Sequence, residues 1–305
     1  MDSLIRQRSV TFKEPPKILF VNVYMHKKNL HAIKNYKNIF LHIVNTPDEL
    51  SRTNLALFKY VYSPAILFDV RKYPNTKFIF GPHLSVFPDN RILQIAGAPN
   101  VVYIQPSDWA RDAWRANKLC RGLRIETVPF GLNMELYAAP ATPAPRDKVF
   151  IYFKRRHPIE LNALRDFLRG RGIPFSEFDY VKGYKQNDFI DYLHQSKYGI
   201  WLGSHESQGF AVEEALACGV PLLVWNATSM KQEMQDNGSV MLDVPATSVP
   251  YWDERCGETF TMFYELEYTF QRFITNLEEG KYNPRAFIEE NLTLEKCEEK
   301  FLNLL

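Results

Sequence analysis

Short apolar runs rich in β-favouring residues punctuate the first part of the chain, at 17–23, 39–44, 60–62, 77–80 and 101–104. They are continuous rather than alternating, which is the pattern of parallel strands buried on both faces. Segments long enough for a helix separate several of them. Strand and helix in alternation predict an α/β fold with a parallel sheet. The stretch 138–145 then brings three prolines and no large apolar residue, and reads as an extended linker. After it the alternation restarts. Residues 149–153, 198–202 and 220–225 are strand-like, and 158–170, 263–279 and 284–305 carry helical patterns. The chain is therefore expected to form a tail (1–16), a first α/β domain (17–137), a linker (138–147) and a second α/β domain from 148. Two α/β halves place a ligand most naturally in the cleft between them.

Composition changes this picture little. The 305 residues are 46% hydrophobic and 24% charged, ordinary for a globular chain, which excludes a disordered protein, a collagen and a coiled coil. Lys plus Arg number 37 against 35 Asp plus Glu, a net charge of +2. That balance gives no electrostatic case for nucleic acid or a membrane surface as partner. No run approaches the roughly 18 apolar residues of a membrane span, and 1–16 lacks the apolar core of a signal peptide. The four cysteines, Cys120, Cys218, Cys256 and Cys297, form no CxxC pair, so zinc sites and a disulfide framework are disfavoured. A reducing compartment, the cytoplasm, is the expectation.

The most informative stretch is 203–224, GSHESQGFAVEEALACGVPLLV. It reads as a polar loop, a helix beginning near Gln208 or Gly209, a turn, and a buried strand. Gly219 suits a left-handed helix C-cap, with Pro221 following. Backbone N–H groups at the helix start lack intrahelical partners and the helix dipole is positive there, so a phosphate is the natural ligand. Gly209 allows close approach to the backbone. Glu206 and Glu214 are spaced to hold two hydroxyl-bearing parts of one ligand. Taken alone, Glu213 and Glu214 read more simply as solvent-facing helix residues, and Glu206 as a dipole partner.

The surrounding pattern decides between these readings. Glu206 and Glu214 with seven residues between, followed by ALACGVP, resemble the donor-site signature of the retaining GT-B glycosyltransferases of "group 1". Residues 128–137, 226–244 and 287–296 resemble further segments of that family. The resemblance is strong over the C-terminal half and weak over the N-terminal half. It implies two Rossmann-like domains with a donor cleft between them, and a closing helix, 283–305, that crosses back to the first domain, leaving 148–282 as the donor domain.

By position, the resemblance implies that Glu206 contacts donor-sugar hydroxyls and Glu214 the ribose hydroxyls. The amides of Gly209, Phe210 and Ala211 would lie near the sugar and diphosphate, with Ser207 in the same loop. Arg155, flanked by Lys154 and Arg156, would neutralise the diphosphate leaving group, where fixed cations act on growing charge. The family's later lysine has no match, since Glu160 stands near its place. Gly183 and Tyr184 fall in the stretch that cradles the base, and His83 would touch the sugar or orient the reacting groups. Asn22 is a cleft candidate by position only, because the family's Gly-rich loop is missing at 22–26. No DxD pattern occurs, which agrees with chemistry without metal or other cofactor.

The expected function is transfer of a sugar from a UDP- or GDP-linked donor to a glycan or other hydroxyl acceptor, with retention. A GT-B-like binding module of weak or no activity and a nucleotide-sugar epimerase are the alternatives. An NAD oxidoreductase fares poorly, since the 17–23 strand is not followed by GxGxxG.

Overall fold

The computed structural model describes residues 14–83, 87–142, 144–235 and 241–305. Most of the expected tail, Pro143 of the expected linker, and 236–240 lie outside the described residues. The chain divides into two compact units, Met1–Gly131 with Leu294–Leu305, and Leu132–Thr293.

The first unit runs β1 (Lys17–Val21), α1 (Lys27–Lys34), β2 (Phe40–Val44), α2 (Pro47–Arg52), β3 (Tyr60–Ser63), β4 (Lys77–Phe80), β5 (Val101–Gln105), α3 (Asp108–Arg115) and β6 (Ile125–Thr127). Its strands form one six-stranded sheet in the order β2-β1-β3-β4-β5-β6, every neighbour parallel. β1, β3, β4 and β5 are buried along nearly their whole length, as their unbroken apolar sequences require. Leu19, Val61, Phe78, Phe80 and Tyr103 form one side of the core, where the Tyr103 and Trp114 rings stack at 4.4 Å.

The second unit runs β7 (Lys148–Phe153), α4 (Pro158–Arg169), β8 (Ser176–Asp179), α5 (Gln186–His194), β9 (Ser196–Leu202), α6 (Phe210–Ala217), β10 (Leu222–Trp225), β11 (Gly257–Phe260), α7 (Leu266–Glu278) and α8 (Pro284–Asn291). Its sheet has the order β11-β10-β9-β7-β8, again all parallel. Counted from its own first strand, this is the order 2-1-3-4-5, and the first unit repeats it with one strand more. In such sheets the connections leave in opposite directions from the first and third strands, opening a crevice at their carboxyl ends. In the second unit that switch point lies between β7 and β9.

Two expected boundaries move. The first lies at Gly131/Leu132 rather than after Tyr137, because residues 132–137 are tied into the second unit. Tyr137 is buried and its hydroxyl reaches Glu214, while Leu132 N donates to Leu292 O at 2.8 Å. The expected linker is thus internal to the second unit. The second lies at Thr293/Leu294 rather than at 283. Helix 284–305 is broken at Leu292 and Thr293, where Leu132 and Thr293 form a parallel bridge. Only α9 (Leu294–Leu302) with the three residues after it belongs to the first unit. There Glu298 accepts from Asn38 N and, at 3.0 Å, from Asn38 Nδ2, and Phe301 packs on the Tyr36 and Tyr62 rings.

No helix among the described residues is long and apolar enough to cross a membrane.

Candidate active site of the second unit

The loops leaving the carboxyl ends of β7, β9 and β10 carry the charged residues singled out in the sequence. Residues 154–157 follow β7, 203–209 follow β9, and 226–235 follow β10. Backbone bonds hold the first two loops side by side. Lys154 N donates to Leu202 O at 3.0 Å, and Ser204 N donates to Lys154 O at 2.9 Å. Ser248 extends the weave, its hydroxyl donating to Gly203 O and accepting from Ala227 N, both at 3.0 Å.

Gly209 caps α6 at its N-terminus with φ +90°, a left-handed conformation in which a side chain would be strained. The chain can thereby turn straight from the loop after β9 into α6, which starts at the carboxyl-end side of the sheet. At the other end Gly219, with φ +74°, provides the left-handed turn expected there. α6 is buried nearly all round, and Glu213 and Glu214 are 1% and 2% exposed. This overturns their reading as solvent-facing residues. A buried carboxylate needs donors, and both have them. Gln208 Nε2 donates to Glu213 Oε1 at 2.8 Å. Tyr137 and Gln186 both donate to Glu214 Oε1, at 3.0 and 2.8 Å.

Glu206 faces Lys154, whose Nζ donates to Glu206 Oε1 at 2.8 Å and lies 4.7 Å from the centre of the Tyr180 ring. Burial opposes the charge on Lys154 most strongly, but the Glu206 carboxylate together with Tyr180 and Glu233 raises the lysine's pKa on balance. The ammonium is therefore a fixed cation.

Arg155 has φ +49°, the left-handed region that residues other than glycine rarely enter. Its carbonyl accepts from Met234 N at 2.8 Å and its Nη1 donates to Glu233 Oε1 at 3.3 Å. His205 Nδ1 lies 3.0 Å from Glu233 Oε2. Burial works against the ionised form of Glu233, but His205, Arg155 and Lys154 together lower its pKa to about 2. The folded value lies below the ordinary 4.5, so the stabilisation is present above about pH 4.5 and is lost as pH falls toward 2. Removal of that carboxylate in Glu233→Gln is expected to flatten the acid limb of stability over this window, as measured by denaturant unfolding at stepped pH.

Arg156, expected among the donor contacts, is held inside the fold as a strut. It is 1% exposed. Its Nε and Nη2 fork onto Glu160, and its Nη1 donates to Gly203 O and Trp225 O, both at 3.2 Å. From the loop after β7, Arg156 thus ties down the ends of β9 and β10, which neighbour each other in the sheet. Glu160, standing near the place of the expected second cation, is its partner and also accepts from His157 N in the capping box of α4.

Tyr184 is half-buried. Its hydroxyl is 3.3 Å from that of Tyr152, whose ring stacks on Trp201 at 3.9 Å. Burial pushes Tyr184 up to about 12, and Glu214 and Glu206 both add to the rise, so the hydroxyl lies in the field of both carboxylates. Gly183 adopts φ +76° in the turn before it. Ser207 is exposed, and Phe210 and Ala211 open α6. The second unit therefore brings together Lys154, Arg155, Glu206, Gly209, Glu214 and Tyr184 around one switch point.

His83 and Asn22 belong to the first unit. His83 follows a cis Gly81–Pro82 bond and meets the edge of Trp114 at 6.0 Å. Asn22 Nδ2 donates to Asn45 Oδ1 at 2.9 Å. At 22–26, where the Gly-rich loop is missing, Tyr24 takes the left-handed conformation, with φ +58°. Sequence reasoning missed Gln186, Tyr137 and His205 as site residues. The signal for His205 was its place beside Glu206, whereas Gln186 and Tyr137 offered none.

No family profile and no curated protein matches the chain by sequence. Solved structures do match in fold. Sucrose-phosphate synthase from Thermosynechococcus elongatus matches with a TM-score of 0.55 at 10% identity, over 94% of this chain and 97% of that one. The N-terminal domain of Candida albicans trehalose-6-phosphate phosphatase gives 0.53 at 9%, over 96% and 97%. TarM of S. aureus, in complex with fondaparinux, alpha-GlcNAc-glycerol and UDP, gives 0.50 at 13%, over 91% of this chain and 58% of that one. With its two all-parallel α/β units and these near-complete matches, the chain has the GT-B fold of two Rossmann-like domains.

Proposed function

We propose that the protein is a glycosyltransferase that moves a sugar from a nucleotide-diphosphate donor to an acceptor hydroxyl. The observation that carries this reading is the pair of carboxylates, Glu206 and Glu214, flanking the buried start of α6 at the switch point, with Lys154 and Arg155 entering from the neighbouring strand end. A diphosphate suits amides at a helix start together with two cations. Ribose hydroxyls suit Glu214, and sugar hydroxyls suit Glu206. The charge growing on the leaving phosphate would fall among groups already in place, which lowers the barrier without reorganisation. With cations in that role the reaction proceeds without a metal ion, and the resemblance of the 203–224 segment supports retention at the anomeric carbon. UDP in the TarM structure makes UDP the first donor nucleotide to test.

Isothermal calorimetry with UDP and GDP tests the reading. At least one is expected to bind. Glu214→Ala is expected to weaken that binding roughly thirtyfold, the loss of a charged hydrogen-bond acceptor for two hydroxyls. Glu206→Ala should change nucleotide affinity by about threefold or less and lower donor turnover instead, because its contact is to the reacting sugar. Equally small effects of both substitutions would sink the assignment. Binding with neither hydrolysis nor transfer would make the protein a nucleotide-sugar-binding module.

A further inference from the structure

Two donors grip one oxygen of Glu214. The Tyr137 hydroxyl comes from the turn Met134–Tyr137, and Gln186 is the first residue of α5. Tyr137 is itself fixed. It is buried, and Arg285 Nη1 on α8 donates to its carbonyl at 2.8 Å and to that of Ala217 at 2.9 Å. The guanidinium thus also sits at the C-terminal turn of α6, where a cation is favoured. Burial raises the pKa of Tyr137 and the charge of Glu214 adds to it, which keeps the hydroxyl a donor at ordinary pH.

The last torsion of a glutamate is broad and soft. Two hydrogen bonds to the same oxygen remove that softness, since rotating the carboxylate breaks both. Both bonds fall on Oε1 and so fix the direction in which Oε2 points. A bidentate contact to a vicinal diol needs such an orientation, whereas a contact to a single hydroxyl tolerates a swinging carboxylate.

We propose that Tyr137 and Gln186 are positioning residues that aim Glu214 at the ribose diol, and that they set a preference for ribonucleotides over 2′-deoxyribonucleotides. The proposal rests on the reading of Glu214 as the ribose contact. Its test uses UDP and GDP, each against its 2′-deoxy counterpart, with dissociation constants measured for the wild type, Tyr137→Phe, Gln186→Leu, the double variant and Glu214→Ala. The wild type is expected to favour the ribo form of the nucleotide it binds by roughly tenfold. The double variant should favour it by about twofold or less, with its affinity for the 2′-deoxy form unchanged. A merely structural role would weaken both forms alike. Gln186 is exposed, so Gln186→Leu alone, with a preference of roughly threefold, serves if Tyr137→Phe disturbs folding. A full preference in the double variant, abolished by Glu214→Ala, overturns the brace and leaves the ribose reading standing. Failure to bind either nucleotide, or a preference that Glu214→Ala does not touch, overturns both.

Discussion

Arg156→Met is expected to destabilise the protein by about 3 kcal/mol or more, out of a typical total of about 5–15 kcal/mol. The substitution keeps most of the side-chain volume, so the loss is not chiefly a cavity. It strips a donor from Gly203 O and from Trp225 O and leaves Glu160 with only the His157 N–H. Arg156 is the fully buried member of the pair, and its loss removes a charged donor from two strand-end carbonyls as well as from the carboxylate. Lysine cannot substitute, since one ammonium does not reproduce the fork that spans Glu160 and two carbonyls. Arg156→Lys is therefore expected to recover less than half of the loss. Glu160 is partly exposed, and Glu160→Gln should cost about 1 kcal/mol. Denaturant unfolding followed by tryptophan fluorescence gives these values. A change under about 1 kcal/mol for Arg156→Met would show that the strand ends hold without the strut.

Arg155→Gly is expected to lower turnover of the bound donor by about 10²–10³-fold, the scale of losing one fixed group that stabilises transition-state charge. Stability should move little, by about 1 kcal/mol or less. Glycine relieves the left-handed strain at φ +49°. Against that gain, Glu233 loses one donor but keeps His205 and Gln235. Arg155→Ala keeps the strain and should show the same kinetic loss with lower stability. The two variants together separate what the guanidinium does from what the backbone costs. Unchanged turnover in both would remove Arg155 from the reaction and leave it a loop anchor.

The strands that the hydrophobic pattern failed to reveal are β6, β8 and β11. All three lie at sheet edges. An edge strand has a neighbour on one side only, so its sequence need not be continuously apolar, and SEFD and GETF are mostly polar. The central strands were legible because burial on both faces demands apolar side chains at every position. The start of α6 and the turn at Gly219 were legible for a local reason, the backbone conformation that glycine permits. The role of Arg156 was not. Its carbonyl partners are 47 and 69 residues away, and three adjacent cations look alike until the fold turns one inward. Tyr137 was hidden in the same way, by a partner 77 residues distant.

The division of the chain also carries a consequence for its synthesis. The second unit is one unbroken stretch, Leu132–Thr293, whereas the first is built from two segments separated by it, Met1–Gly131 and Leu294–Leu305. During vectorial synthesis the amino-terminal domain of a protein ordinarily finishes folding first. Here that order is expected to reverse. The six-stranded sheet emerges early but lacks α9, which buries Cys297 and Phe301 against Tyr36 and Tyr62. Until Leu294–Leu305 leave the ribosome, the Tyr36 and Tyr62 rings lack the cover of Phe301, and the second unit is expected to be the first complete.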